Sequence, residues 1–106
     1  MSIYGAWKDA VITIATDDDL TAEVSIEKDC DTLVVIIPTL TSSDLTLYAA
    51  EVSGGTYYAV GNTATIVAGT GEFIDVWEVG GLEHFKIGTS AGQAADRTFK
   101  VRGVRA

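Results

Sequence analysis

The sequence predicts an all-β domain, a small antiparallel β-sandwich of jelly-roll or immunoglobulin-like type with eight or nine short strands. Three observations carry that expectation. Short segments rich in valine, isoleucine, threonine and tyrosine alternate apolar and polar residues with period two. Turn residues, among them 11 glycines, separate these segments. Sustained helical periodicity is absent. At 106 residues the chain is one domain, able to bury roughly 65% of the surface its unfolded form exposes. The 47% hydrophobic content excludes a wholly disordered chain.

The segment 1–9, "MSIYGAWKD", is read as an N-terminal arm, with 10–106 as the single sandwich domain. Ile3, Tyr4 and Trp7 precede the first alternating run, and large apolar side chains there need cover. Two readings stand: the arm folds back on the domain, or it anchors in a neighbour. "AVITIAT" (10–16) is the first strand, and "DDD" ends it. "LTAEVSIE" (20–27) alternates strictly, as a strand with one wet face does. "TLVVIIP" (32–38) is apolar on both faces, which fits a central strand stopped by Pro38. "DLTLYAAEV" (44–52) alternates again, although a short helix over 42–50 is an alternative. "SGGTYY" makes a glycine turn into a strand from Tyr57 to Val60. A turn at Gly61–Asn62 precedes a short strand at 65–67 and a second turn at 69–71. "EFIDVWEV" (72–79) is a strand stopped by Gly80–Gly81, with Trp77 and Phe73 on one alternation and read as core. "EHFKIG" and "RTFKVRG" are the last two strands.

Net charge is −8, which argues against a nucleic-acid partner because little of the chain would neutralise phosphates. The charge is uneven. Residues 96–106 carry four bases against one acid, a net of +3, while residues 1–95 carry 3 bases against 14 acids, a net of −11. A basic end on an acidic body suits oriented contact with a partner or with another copy. The competing reading pairs those bases with acids of the same domain. No apolar run reaches the ~20 residues a membrane span needs. The N-terminus does not read as a secretory signal, so the expectation is synthesis in the cytoplasm and no membrane partner. Cys30, the single cysteine, lies in "EKDCDT" among acids that disfavour a thiolate; it reads as a spectator in a loop.

Four patterns invite a chemical reading. His84, Ser90 and Asp96 fall close together in the chain, as a hydrolytic triad might supply them, but no G-x-S-x-G elbow surrounds Ser90. Phe85 and Ile87 claim the core face, which turns His84 toward solvent. Asp17–Asp19 could share a calcium ion, but the EF-hand spacing is missing and three acids make an ordinary turn. "VAGTGEF" and "VGGLEHF" lack the phosphate-loop lysine. Tyr57 and Tyr58 could stack on sugars, though adjacent residues point to opposite faces of a strand. The expectation is therefore no enzyme, no cofactor and no metal, with a glycan-binding module as an alternative.

Two stretches, "VVIIPTLTSSDLTLYAAEVSGGTYYAV" and "FKIGTSAGQAADRTFKVRGV", resemble small structural proteins of tailed bacteriophages. The matching residues are Leu45–Leu47, Gly54–Tyr58 and Lys86–Gly103, with the QAADR loop the most distinctive, and the first 30 residues are outside the resemblance. It implies a β-sandwich on the virion, most like a capsid decoration (cement) protein that binds the assembled capsid and stabilises it. A tail or head–tail connector component is the alternative. The implied partners are the major capsid protein and copies of the chain itself, as a dimer or trimer, and the implied location is the capsid surface. The 88–96 loop exceeds a tight hairpin, and Asp96 and Arg97 are candidates to fix it. Beyond it Thr98, Lys100 and Arg102 share one face while Phe99 and Val101 face the core. The expected protein interface is Ile3, Tyr4, Trp7, Lys100, Arg102 and Arg105.

Overall fold

In a computed structural model, residues 3–4, 6–61 and 65–105 are described, with side chains for all of these except 3, 4, 27–29 and 105. The described residues contain strands and no helix. They are β1 (Ile3–Tyr4), β2 (Lys8–Ile12), β3 (Val24–Ala50), β4 (Tyr58–Ala59), β5 (Thr65–Thr89) and β6 (Arg97–Arg105). All pairings are antiparallel. The all-β, antiparallel expectation holds, and the stretch 42–50 is strand rather than helix. The strand count does not hold. Six strands form one hydrogen-bonded sheet, in place of eight or nine strands in a clear sandwich.

The difference has a physical cause. A straight strand of 27 residues would run about 90 Å at ~3.3 Å per residue, yet the molecule's longest extent is 40 Å. β3 and β5 must therefore bend while staying in the sheet. The glycines read as strand stops supply the bends. Gly80 and Gly81 hold φ of 63° and 91° inside β5, a left-handed conformation that costs glycine little. Gly71, at φ 79°, lies against β3 so closely that a Cβ there would stand 2.0 Å from the Pro38 carbonyl oxygen. Register shifts between Thr39 and Thr46 complete the bend as bulges. Segments that look separate in the sequence are thus limbs of two long, kinked strands.

The bending gives the sheet two limbs around one core. In the first, β5 residues 71–78 pair with β3 residues 32–39, which pair on the other side with β6, and β6 carries β1 and β2 on its far side. In the second, β5 residues 84–89 lie between β3 residues 24–25 and 45–50, and β4 borders the latter. Leu33, Val35 and Ile37 from the first limb join Leu45, Leu47, Phe85 and Ile87 from the second in one cluster, all 1% exposed or less. Each such side chain contributes about 1.5–3 kcal/mol on burial. Trp77, Phe99 and Val101 are core as expected, whereas Phe73 is 39% exposed. Cys30 is buried within β3, not held in a loop. It packs below Gly103, where an added Cβ would meet its Sγ at 3.3 Å. The expected turn at Gly61–Asn62 lies partly outside the described residues.

Candidate interface

One outward face brings together three of the six predicted interface residues, Trp7, Lys100 and Arg102. The period of two sends Leu33, Val35 and Ile37 inward, so Val34 and Ile36 face out. Register fixes their neighbours. Val34 lies between Val76 of β5 and Arg102 of β6, and Ile36 lies between Ile74 of β5 and Lys100 of β6. Lys100 is in turn opposite Asp9 of β2. The result is an apolar block of four side chains, with Ile74 62% and Val76 49% exposed. Along β5 the acids Glu72 and Glu78 stand before and after the Ile74–Val76 pair, and Lys100 and Arg102 stand beside Ile36 and Val34 on the β6 side.

The basic flank is organised by its own domain. Lys100 Nζ lies 3.2 Å from Asp9 Oδ1, both half in solvent, so the bond contributes little to stability. The competing reading of the last strand, pairing within the domain, thus holds for Lys100. The Arg102 guanidinium covers the Trp7 ring at 5.5 Å, a cation–π contact that leaves Trp7 41% exposed. The backbone of Ile3–Tyr4 runs along Val104–Arg105; the side chains of Ile3, Tyr4 and Arg105 lie outside those described. Trp7, Lys100 and Arg102 therefore come together. The four apolar residues beside them were visible only as "apolar on both faces" in 32–38 and as alternation in 72–79. Pairing those two strands required the long-range register.

The margin of this face is guarded. β5 residues 71–78 pair with β3 alone among the described residues. Asp75 is opposite buried Val35 and so lies on the inner face of that outermost strand, where its Oδ1 accepts a hydrogen bond from the Val76 N–H at 2.8 Å. An inward charge that occupies an outer-strand donor opposes the addition of a further strand.

The remaining candidates are engaged in structural bonds. Ser90 Oγ accepts from the Asp44 N–H at 2.8 Å, and Asp96 Oδ1 accepts from the Ile14 N–H at 3.0 Å. His84 is half-buried instead of facing open solvent, its Nδ1 2.7 Å from Ser25 Oγ across the strand pair. His84, Ser90 and Asp96 thus have three separate sets of partners and form no triad. Glu83 lies 3.6 Å from His84 Nε2, too far for a hydrogen bond that would orient the ring. Asp17, Asp18 and Asp19 are exposed with carboxylate oxygens within 4.8 Å of one another. The hydrogen bond and the charge of Asp17 hold the Asp19 carboxyl above its usual range.

The 88–96 loop is fixed by a residue the sequence reading passed over. Gln93, 5% exposed, accepts from the Thr41 N–H at 2.8 Å and from Arg97 Nε at 3.1 Å. Its amide nitrogen faces the Thr41 carbonyl, Ser43 Oγ and the Ala91 carbonyl at 3.0–3.1 Å. Arg97 takes part as expected, while Asp96 secures the segment just after β2 by way of Ile14. The tyrosine pair divides as alternation requires. Tyr58 is 71% exposed. Tyr57 is half-buried, its hydroxyl donates to Glu23, and Lys86 Nζ lies 4.8 Å from its ring centroid. Glu23 also accepts from Ser53 Oγ at 2.6 Å and the Gly54 N–H at 2.8 Å. The Ser53 hydroxyl first, then Tyr57 and Gly54, hold its carboxyl down to about 2. Burial and the Glu23 hydrogen bond push the Tyr57 phenol up.

No protein-family model matches the chain, and no curated protein matches it. Solved structures do share the fold. The SPBc2 prophage-derived protein YomS superimposes with a TM-score of 0.57 at 16% identity, over 93% of this chain and 95% of that one. A family 89 glycoside hydrolase from Clostridium perfringens, solved with 2-acetamido-1,2-dideoxynojirimycin, superimposes at 0.51 and 12% identity over 94% of this chain. The chain spans only 14% of that enzyme's length. The cyanophage Pam1 capsid asymmetric unit overlays at a TM-score of 0.38, too loosely to bear on function. At these identities the likeness is one of fold: the chain is an all-β domain of a kind found whole in a prophage-derived protein and as a small part of a large hydrolase.

Proposed function

We propose that the chain is a non-enzymatic structural protein of a phage virion that binds the assembled capsid and stabilises it. The observation that carries this reading is the outward face. A chain of net charge −8 keeps four aliphatic side chains together on one sheet face, beside a basic strand and a half-exposed tryptophan. Exposed apolar surface with a charged rim suits a protein partner. The resemblance of 34–60 and 85–104 to tailed-phage structural proteins supports a virion setting, and a fold shared with a prophage-derived protein is in keeping with it. Mechanically the protein would act by mass action: each bound copy favours the assembled shell, and many equivalent sites multiply a modest contact.

Cosedimentation with purified capsids tests this. The wild-type chain is expected in the particle fraction, and removal of residues 1–7 is expected to leave a folded domain that no longer pellets. Failure of the wild type to pellet with any capsid form refutes capsid binding. A tail or connector role would give binding to those parts alone. The glycan-binding reading loses support because Tyr57 is held by Glu23 and covered by Lys86, which leaves Tyr58 as the exposed ring of the pair.

A further inference from the structure

We infer that a cleft on the outer face of the second limb binds a neutral sugar ring, one residue of a glycan. The site goes beyond capsid binding and does not rest on it. Its placement follows from register. Leu47, Phe85 and Ile87 are buried, so Tyr48 and Lys86 project outward and Gly88 presents bare backbone on the same side. Tyr48 and Lys86 are cross-strand partners, and Gly88 is bridged to Leu20. Gly88 makes a floor that any side chain would fill: a Cβ there would stand 2.8 Å from the Tyr48 ring and 3.6 Å from Leu20 Cδ1. The space so formed is a cleft of about 350 Å³ between Tyr48, Tyr57, Leu20 and Lys86, lined also by Asp19 and Thr89. That is near the low end of ligand pockets, ~300–1,000 Å³, and suits a single ring.

Two polar groups in this cleft are not used by the fold. Among the described residues the Lys86 ammonium has only the Tyr57 ring as a partner, at 4.8 Å, and the Tyr48 hydroxyl has none. Lys86 offers donors, Tyr48 a donor and an acceptor, and Asp19 an acceptor. The charges select a neutral ligand. Asp19 lines the cleft, and the Glu23 carboxylate stands behind Tyr57, bonded to its hydroxyl, so an anion is opposed. Lys86 opposes a cation. A pyranose meets both conditions: its hydroxyls pair with the polar groups and its C–H face packs against the Tyr48 ring. Tyr57 serves as a fixed wall whose ring Lys86 already covers, so this site is distinct from a Tyr57–Tyr58 platform. Leu20 and Lys86 also border a smaller cleft of about 230 Å³ beside Thr13 and Thr16, which leaves room for the next ring of a chain.

An amide-resonance titration of the full, isotope-labelled chain tests the site. The probes are the methyl pyranosides of glucose, galactose, mannose and N-acetylglucosamine, with lactose and maltose, each raised to high millimolar concentration. At least one sugar is expected to give saturable shifts centred on residues 19–20, 48, 57 and 86–89. Tyr48→Ala is expected to weaken that sugar roughly tenfold. Tyr48→Phe removes a single hydroxyl and Lys86→Met removes the ammonium while keeping the length of the side chain. Each is expected to weaken binding several-fold, with circular dichroism and an unchanged urea midpoint reporting an intact fold. No saturable shift from any of these sugars, shifts confined to other parts of the chain, or an affinity indifferent to both conservative variants would overturn the inference. A response to sodium acetate with none to sugar would give the cleft to a carboxylate and overturn it too. Sugar binding by a chain absent from virions would remove the proposed function and leave this site intact. A chain present on virions that binds no sugar would do the reverse.

Discussion

Replacing Gln93 by alanine removes one side chain and unties the 88–96 loop from β3 and β6. The amide receives the Thr41 N–H and Arg97 Nε and faces three acceptors, Thr41 O, Ser43 Oγ and Ala91 O. Two N–H donors shared among three acceptors amount to two full bonds, so about four bonds are lost. At a net ~0.5–1.5 kcal/mol each they contribute roughly 2–6 kcal/mol. Part of the loss is recovered. Arg97 keeps Thr41 Oγ1 at 3.4 Å and water can reach the freed carbonyls, whereas the Thr41 N–H loses its acceptor. We expect a net loss of about 2–4 kcal/mol, seen as a lower urea midpoint at unchanged slope. For a domain of this size that corresponds to a fall in melting temperature of roughly 8–25 °C. Gln93→Glu keeps the acceptor oxygen and loses the donors, and is expected to fall between wild type and alanine. A Gln93→Ala loss below about 0.5 kcal/mol would refute the assignment of this residue as the anchor of the loop.

Gly71→Ala places a Cβ against the Pro38 carbonyl at a left-handed backbone position, so a loss of at least about 2 kcal/mol is expected by urea denaturation; a neutral result would contradict the kink between β3 and β5. Lys100→Ala breaks an exposed ion pair and should cost under about 0.5 kcal/mol by the same measure. The Glu23 carboxyl is lower in the folded protein, about 2, than its ordinary 4.5, so its stabilisation is fully present above pH ~4.5 and is lost as pH falls toward 2. Urea midpoints measured across that window should decline more steeply for the wild type than for Glu23→Gln; identical slopes would contradict the carboxylate cluster with Ser53, Gly54 and Tyr57.

Much of the first limb was legible because its signals are local. "TLVVIIP" shows by composition that both its faces meet apolar neighbours, and "RTFKVRG" shows by alternation that Phe99 and Val101 go inward while Lys100 and Arg102 go out. Glycines were read as ends because a glycine that reverses a chain and one that kinks a strand look alike in sequence. Gly71 differs from a turn glycine through a tertiary partner, the Pro38 carbonyl, and Gly80–Gly81 through the continued pairing of β5 with β3 on either side. The same limit hid the site. Val34 and Ile36 gain an outward neighbourhood only when register sets them between Val76 and Arg102 and between Ile74 and Lys100. Gln93 was passed over because a glutamine in a small-residue loop carries no local sign of burial; its partners Thr41 and Ser43 lie some fifty residues away.

Copy number on the particle tests the proposed function most directly. Quantitative mass spectrometry of purified virions, before and after a high-salt wash, compares the chain with the portal and the major capsid protein. Hundreds of copies per portal are expected, with partial release by salt because Lys100 and Arg102 are screened while the apolar block and Trp7 are not. A few copies per particle would move the protein to the tail or connector. Its absence from virions would contradict the proposed function altogether.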